Sequence, residues 1–260
     1  MKRRRLVLIG ALVVVLVGGG LLGARYVRDR LRGPEPHHWP TTDLKADDVV
    51  EYKQGAKRPL HLHLFKPAGA PTGTIIFFHG GGLRNTPLDQ FLRQAQHLSD
   101  EGMLAVIAEY QVEYDDATFT TASGDAGDAI AWLRTHAGEL SIDPTKIAAS
   151  GASAGGGLAA STELTKGDSH PDALVLFNPA VNANDANTGG GVPTLVMHGD
   201  NDHTVPLASA KGFCDALKRC EMLIWPGGDH GFFNDGDAFT ATLARADEFL
   251  RTLGYLPPHG

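Results

Sequence analysis

The sequence predicts an α/β protein with a mostly parallel sheet of about eight strands flanked by helices. Short apolar runs, which are typical of strands buried on both faces of a sheet, recur along the chain. Segments with helical spacing of their apolar residues lie between most of these runs, and such alternation favours parallel strands joined by helices. A hydrophobic fraction of 42% and a charged fraction of 20% in 260 residues are ordinary for a globular core.

The predicted elements begin at about residue 48 and continue to the end of the chain. Strands are predicted at residues 48–53, 60–65, 74–78, 103–108, 146–149, 173–177, 194–197 and 222–225. Helices are predicted at residues 88–98, 124–136, 208–217 and 238–253, and directly after Ser153.

Two histidines, His61 and His63, lie on one face of the second predicted strand, because side chains alternate there with a period of two. Such a pair is able to bind a metal ion, but no third ligand of matching pattern accompanies it. We therefore expect solvent-facing strand histidines, and no metal site is predicted.

The first residues form a separate region. Basic residues at positions 2–5 precede the uncharged stretch 6–24, which fits an export signal. That stretch approaches the ~20 residues that span a bilayer, and no convincing cleavage site follows it. We expect a signal anchor or signal peptide at residues 1–33, a linker at 34–47 and a globular domain at 48–260. The protein is then exported to the periplasmic or extracellular face, where it is either anchored through residues 6–24 or secreted.

The charge balance disfavours nucleic acid as a partner. The chain has 23 Lys and Arg against 30 Asp and Glu, and its formal net charge is −7. The part after residue 33 is more acidic still, because the first 33 residues are rich in arginine. Such a surface repels phosphate backbones, so no nucleic-acid binding is expected. The sequence does not indicate an oligomeric state.

The two cysteines, Cys214 and Cys220, allow two interpretations. In an oxidising compartment they are able to close a small disulfide loop. Alternatively they are two buried free thiols, because helix geometry between them can hold the sulfur atoms apart.

Ser153 lies between glycines at a predicted strand-to-helix turn, in the motif G-A-S-A-G at residues 151–155. One interpretation is a tight turn that needs glycine. The other is a strained nucleophile elbow that projects the serine Oγ above the sheet. The second interpretation requires a base, an acid and an oxyanion hole from the rest of the chain.

A glycine-rich loop, H-G-G-G at residues 79–82, directly follows the strand predicted at residues 74–78. Glycines allow backbone N–H groups to approach a ligand without obstruction by Cβ. The amides of Gly81 and Gly82, completed by that of Ala154 after the serine, suit an oxyanion hole. The alternative is a loop whose glycines only turn the chain.

Two further loops bring acidic residues and a histidine to the ends of predicted strands. Asp200 and Asp202 follow the strand at residues 194–197, and His230 follows the last strand. Catalytic groups gather at this edge of a parallel sheet. Together with Ser153 these residues have the order Ser–Asp–His, which is the order in α/β-hydrolases.

From about residue 48 onward, the chain resembles the α/β-hydrolase superfamily and, within it, the HGGG-type bacterial carboxylesterases that include acetyl- and carbohydrate-esterase relatives. The resemblance rests on the H-G-G-G and G-A-S-A-G motifs, on H-G-D-N-D-H-T-V-P at residues 198–206 and on G-D-H-G-F at residues 228–232. It implies Ser153 as the nucleophile, His230 as the base and Asp202 as the acid, with Asp200 as the rival acid. Asp202 is favoured because it stands three residues before the Val-Pro pair.

The resemblance implies a serine carboxylesterase that acts through an acyl-enzyme and without a cofactor, and the N-terminal stretch adds the expectation that it is exported. We expect short-chain acyl esters as substrates, with acetylated carbohydrates among the candidates. The connection between Ser153 and Asp202 is too short for a sizeable lid, so an open site is expected. Phe119, Phe232 and Phe233 are candidates for an apolar wall or for core packing. Two alternatives stay open: an oligopeptidase-like serine peptidase and a non-catalytic, tethered binding module. A lipase is disfavoured by the missing lid.

Overall fold

The computed structural model describes residues 44–84, 88–189 and 191–258. The signal anchor or signal peptide predicted at residues 1–33 lies outside the described residues, as does most of the predicted linker. In the described part of the chain, no helix has both the length and the apolar character needed to span a membrane.

The described residues contain one eight-stranded sheet with the strand order β1-β2-β4-β3-β5-β6-β7-β8. Its strands are β1 (Asp48–Gln54), β2 (Pro59–Phe65), β3 (Thr74–Phe78), β4 (Leu104–Ala108), β5 (Ile147–Ala152), β6 (Ala173–Phe177), β7 (Thr194–Gly199) and β8 (Cys220–Trp225). Strand β2 runs antiparallel to β1 and β4, and every other neighbouring pair is parallel. The predicted mostly parallel sheet is confirmed.

Helices connect most of the parallel strands, and a last helix follows β8. They are α1 (Leu92–Asp100), α2 (Phe119–Thr135), α3 (Ala137–Leu140), α4 (Ala154–Thr162), α5 (Leu207–Ala216) and α6 (Gly236–Thr252). Helix α2 begins earlier than predicted, because the Thr118 hydroxyl caps its first turn by accepting a hydrogen bond from the Thr121 N–H. The helix predicted at residues 88–98 begins as a 3-10 turn over Leu88–Phe91 before α1.

The core lies on both faces of the central strands. Every residue of β3, β4, β5, β6 and β7 is buried, as expected for parallel strands covered by helices on both sides. Because these strands are parallel to one another, their C-terminal ends meet at one edge of the sheet. The loops after β3, β5, β6, β7 and β8 therefore lie along that edge, where α/β proteins bind ligands.

Cys214 and Cys220 form a disulfide with a Cα–Cα distance of 5.4 Å. Helix α5 ends at Ala216, and Leu217 is extended, so the chain leaves the helix between the two cysteines. This change of direction allows the sulfur atoms to meet. Of the two interpretations, the structure therefore has the disulfide, which joins the end of α5 to the start of β8.

Candidate active site

Ser153 occupies the sharp turn between β5 and α4. Its φ of 51° and ψ of −121° lie in a sparsely populated region for a residue with a side chain. Such a backbone costs of the order of 1–3 kcal/mol and persists only where its surroundings hold it. Here the Ser153 N–H donates to the Phe177 carbonyl at 3.1 Å, and the Ser153 carbonyl accepts from Gly157 and Ala180. The elbow is therefore held by backbone hydrogen bonds on both sides of the serine.

The glycines of the elbow are required by close backbone approach. A Cβ on Gly151 would overlap the carbonyl group of Gly155. A Cβ on Gly155 would overlap the carbonyl oxygens of Phe78 and His79 at the end of β3. Both glycines are thus needed for α4 to leave the sheet beside the H-G-G-G loop, so the tight turn and the nucleophile elbow are one structure.

The structure brings Ser153, His230 and Asp202 into one chain of hydrogen bonds. His230 Nε2 lies 2.9 Å from Ser153 Oγ, and His230 Nδ1 lies 2.7 Å from Asp202 Oδ2. A carboxylate accepting from Nδ1–H leaves the lone pair of Nε2 facing the serine hydroxyl. This arrangement can take the proton from Ser153 Oγ and make it a nucleophile.

Asp202 is held in its ionised form. Burial alone would raise its pKa, but hydrogen bonds from His230 and from the backbone N–H groups of Val205 and Thr204 outweigh burial and lower it. The two backbone amides donate to Oδ1 at 2.8 and 2.9 Å, while Oδ2 accepts from the histidine. The carboxylate is thereby oriented from both oxygens, and it stabilises positive charge on the imidazole.

Asp200, the rival acid, has a different position. Its Oδ1 accepts from the Gly227 N–H at 2.6 Å, which ties the loop after β7 to the loop after β8. The same two loops touch at Gly199, where a Cβ would overlap the Gly228 carbonyl. Asp200 thus connects the loops that bear Asp202 and the histidine, without contacting the imidazole itself.

The H-G-G-G loop passes beside the serine. A Cβ atom added to Gly80 would lie 3.4 Å from Ser153 Cβ. The Gly80 N–H donates a hydrogen bond to Gln90 Oε1 at 2.7 Å. His79 is buried and stacks on Tyr110, whose hydroxyl donates to the His79 carbonyl at 2.7 Å. Burial lowers the pKa of His79 to about 4, so this ring is neutral and supports the loop.

The oxyanion hole is predicted to consist of three amides, two in the H-G-G-G loop and one at the start of α4. Gly81 and Gly82 have φ values of 108° and 64°, which are accessible to glycine at little cost. Ala154 is the first residue of α4, and the N–H groups of a first helical turn have no acceptor within their own helix. The amides of Gly81, Gly82 and Ala154 thus belong to the loop and the helix that adjoin Ser153, and their role as an oxyanion hole stays a prediction.

Sequence reasoning missed two residues of the site. Asn178, directly after β6, places its Nδ2 3.0 and 3.3 Å from the two ring nitrogens of His230. His198 is fully buried, with Nε2 3.0 Å from the Val205 carbonyl and 3.4 Å from Asp202 Oδ2, and burial lowers its pKa. The only available signal for Asn178 was a lone polar residue after a buried strand, at the edge where ligands bind.

Of the three phenylalanines considered for an apolar wall, Phe119 lines a groove, whereas Phe232 and Phe233 lie in the core. Phe233 is fully buried and packs against Phe177 and Phe91, with ring centroids 4.7 and 5.8 Å away. Phe232 is also buried and meets the Phe233 ring edge-on, so both phenylalanines are core residues. Phe119 is 44% exposed and does line a groove.

That groove has a volume of about 250 Å³ and follows α4 away from the serine. Its apolar side consists of Phe119, Leu164 and Val181, and its polar side of Ser161 and Asp185. It begins one helical turn beyond the elbow, next to the Ala180 amide that binds the Ser153 carbonyl.

His61 and His63 differ from the expectation of solvent-facing strand histidines. His63 Nε2 lies 3.1 Å from Glu109 Oε1, and His61 Nδ1 lies 3.5 Å from Glu109 Oε2. Glu109 follows β4, the neighbour of β2, and its carboxylate also pairs with Arg58. The expectation was wrong for His63, because a buried carboxylate from the adjacent strand covers this face. Within residues 44–84, 88–189 and 191–258, no group of three or more metal-ligating side chains is arranged to hold a metal ion.

Comparisons with known proteins show that the chain is similar to esterases. The family model BD-FAE matches residues 60–189, and a model described as TAP-like protein matches residues 175–258. The chain is 28% identical to the probable carboxylic ester hydrolase LipM of Mycobacterium tuberculosis, over 84% of this chain and 63% of that protein. The chain spans less than two thirds of the length of the curated relatives it matches.

Solved structures of an esterase, Est2 of Thermogutta terrifontis, are similar over nearly their whole length. The propionate-bound structure has a TM-score of 0.77 and 33% identity, over 84% of this chain and 98% of that chain. The butyrate-bound structure has a TM-score of 0.78, with the same identity and coverage.

Proposed function

The chain belongs to the α/β-hydrolase carboxylesterases, with BD-FAE as its matching family, and on this premise we propose that it hydrolyses short-chain acyl esters through an acyl-enzyme at Ser153. The observation that supports this proposal best is the continuous hydrogen-bonded chain from Ser153 Oγ through His230 to Asp202. A serine hydroxyl is a weak nucleophile until a positioned base accepts its proton.

In the proposed reaction, Ser153 Oγ attacks the ester carbonyl while its proton moves to His230 Nε2. The oxygen of the tetrahedral intermediate accepts hydrogen bonds from the amides of Gly81, Gly82 and Ala154. His230 then protonates the leaving alkoxide as the acyl-enzyme forms. A water molecule, activated by the same nitrogen, attacks the acyl carbon, and collapse of the second intermediate returns the proton to Ser153.

Asp202 acts through the imidazole rather than on the substrate. Its lowered pKa keeps it anionic while His230 is protonated, so the negative charge stabilises the imidazolium of both transition states. Its hydrogen bond to Nδ1 also selects the tautomer that leaves Nε2 free to accept the serine proton.

We propose that the acyl group extends from Ser153 into the groove that begins at Gly157, and the small size of this groove supports a preference for short acyl chains. A volume of about 250 Å³ lies below the ~300–1,000 Å³ typical of pockets that enclose drug-sized ligands. Acyl carbons that extend past the Phe119 and Leu164 side chains would stay in water and lose most of the ~0.8 kcal/mol that burial of each CH₂ contributes. The propionate and butyrate bound to the similar Est2 are consistent with short acyl groups.

We propose that the alcohol side accepts bulky groups such as acetylated carbohydrates. Among the described residues, the connection from Ser153 to Asp202 contains α4, β6, β7 and two 3-10 turns, and it has no further helix that could form a sizeable lid over the elbow. An open approach to the serine gives a large alcohol room outside the site while its acetyl group enters.

The experiment is a panel of acetyl, butyryl, octanoyl and palmitoyl esters of one alcohol, assayed for kcat/KM below aggregation concentrations. We expect a maximum at acetyl or butyryl. Ser153→Ala is the matched control, and it should keep its Tm while kcat falls by several orders of magnitude. A maximum at octanoyl or longer would instead indicate a lipase, and faster cleavage of added peptide amides would indicate a peptidase.

We also propose that residues 1–33 direct export and keep the protein at the membrane. The uncharged stretch 6–24 supports this, and a disulfide between Cys214 and Cys220 is typical of exported proteins. Fractionation of the producing cells followed by N-terminal sequencing tests the proposal. A mature N-terminus near residue 21 or 25 would replace the anchor by a cleaved signal peptide.

A further inference from the structure

Asn178 occupies an unusual position beside the imidazole. It directly follows β6, is 1% exposed and has a φ of 34°, which a residue with a side chain seldom adopts. Its N–H donates to the Met197 carbonyl at 2.7 Å, which holds the strained backbone between β6 and β7. Strain of this kind clusters at functional sites, and Asn tolerates it better than most residues.

The carboxamide of Asn178 lies over the face of the His230 ring. Its Nδ2 is 3.0 Å from Nδ1 and 3.3 Å from Nε2. An atom in the ring plane at two such similar distances would overlap the Cε1–H between the nitrogens, so Nδ2 must lie above the plane. The ring is therefore covered on this face while its two nitrogens point at Asp202 and Ser153.

This contact is not an ordinary hydrogen bond. The Nδ1–H donates to Asp202, and the lone pair of Nε2 lies in the ring plane, facing the Ser153 hydroxyl. The Asn178 Oδ1 atom is buried and has no hydrogen-bond partner among the described residues. A half turn about the Cβ–Cγ bond, which exchanges Oδ1 and Nδ2, therefore breaks no hydrogen bond of Oδ1.

This rotation of the carboxamide changes its electrostatic interaction with the ring when the imidazole is charged. While Ser153 attacks, the proton that arrives at Nε2 gives the imidazole a positive charge. An amide oxygen over the ring attracts this charge, and the attraction is stronger on the face that the buried Asn178 covers than in bulk water. With Nδ2 in that place, the amide would repel the charge instead.

We propose that Asn178 is a positioning residue for His230. It confines the ring to the plane that joins Asp202 to Ser153, and it presents its carboxamide oxygen to the ring in the protonated state. This role rests on the proposed function, because it concerns the base of the same reaction. Among the described residues, the titratable groups that face the ring are Asp202 and, behind that carboxylate, the buried His198.

The experiment compares Asn178→Leu with Asn178→Asp. Leucine keeps the approximate volume but has no dipole, whereas aspartate places a negative charge against the ring. We expect the acid-side midpoint of the kcat/KM–pH profile to move to lower pH in Asn178→Leu and upward by about one unit or more in Asn178→Asp. For Asn178→Leu, kcat should fall about tenfold while KM changes little.

Asn182→Asp is the matched control, because Asn182 lies in the same loop but is exposed and accepts a hydrogen bond from the Asn184 N–H. It adds the same charge without a contact to the ring, so its midpoint should stay at the wild-type value. The Tm of every variant shows whether it is folded.

Imidazole NMR titration of His230 provides a readout that needs no substrate. Opposite shifts of its midpoint in the leucine and aspartate variants support the proposal even if wild-type protein hydrolyses no ester, in which case only the proposed function fails. Shifts in the same direction, or none in either folded variant, overturn the role of Asn178.

Discussion

Asp202 accepts the His230 Nδ1–H at 2.7 Å through one carboxylate oxygen and receives two backbone amides through the other. These hydrogen bonds hold the carboxylate in place, and the carboxylate in turn fixes one orientation of the imidazole. The neighbouring Asp200 binds only the backbone of the next loop. Replacement of Asp202 should therefore affect the imidazole, whereas replacement of Asp200 should affect only the contact between the two loops.

Asp202→Asn should lower kcat by about 10³–10⁴-fold, because an amide nitrogen facing Nδ1 favours the wrong tautomer. Asp200→Asn should cost less than tenfold, since the asparagine Oδ1 is still able to accept from the Gly227 N–H. Steady-state kinetics on both purified variants, with matched Tm values, check the difference. A larger loss in Asp200→Asn would show that the acid had been placed at the wrong position of the motif.

Gly155→Ala should destabilise the protein severely, because its Cβ would overlap the carbonyl oxygens of Phe78 and His79. Gly124→Ala, within α2, meets no atom within 4 Å and should raise stability by up to about 1 kcal/mol through helix propensity. Urea denaturation of both variants measures the contrast. A Gly155→Ala protein as stable as wild type would contradict the close approach of α4 to β3.

Glu163→Gln should change the pH dependence of stability. Glu163 is 1% exposed, and burial raises its pKa, so the folded state binds more protons than the unfolded state above about pH 4. The free energy of unfolding of the wild type consequently falls as the pH rises from about 4 through the pKa of Glu163 in the folded state. Glutamine stays neutral, and its Oε1 is still able to accept the Val192 N–H that Glu163 accepts at 2.7 Å.

Free energies of unfolding at pH 4.5–7.5 test this prediction. Relative to the variant, wild type should lose stability across that range. The exposed Glu139→Gln serves as the control and should run parallel to wild type. A constant difference between wild type and Glu163→Gln at every pH would exclude a raised pKa.

Replacing both Cys214 and Cys220 by Ser should lower the free energy of unfolding by about 2 kcal/mol, as estimated for opening so short a loop. Esterase activity should stay within about twofold of wild type, because the disulfide lies at the start of β8 whereas His230 follows its end. Urea denaturation and kinetics measure the two effects. Two reactive thiols in the folded, oxidised wild type would show that the bond does not form.

The fold class and the positions of the three loops that meet at the site were predictable from the sequence alone. Continuous apolar runs such as 74–78 specify buried strands through local periodicity. The G-A-S-A-G motif predicts an elbow, because the sharp turn between strand and helix brings Gly151 against the Gly155 carbonyl and leaves no space there for a side chain. These are properties of neighbouring residues along the chain, so they can be read without knowing what packs against them.

The contacts between distant side chains, by contrast, became visible only in the folded structure. Strand order brings Asn178 onto His230 and Glu109 onto His63, although no local pattern links either pair. The same packing buries Phe233 in the core and turns Asp200 away from the imidazole. The physical reason is that such contacts depend on sheet order and loop approach across many intervening residues, whereas periodicity and motif spacing report only on the chain nearby.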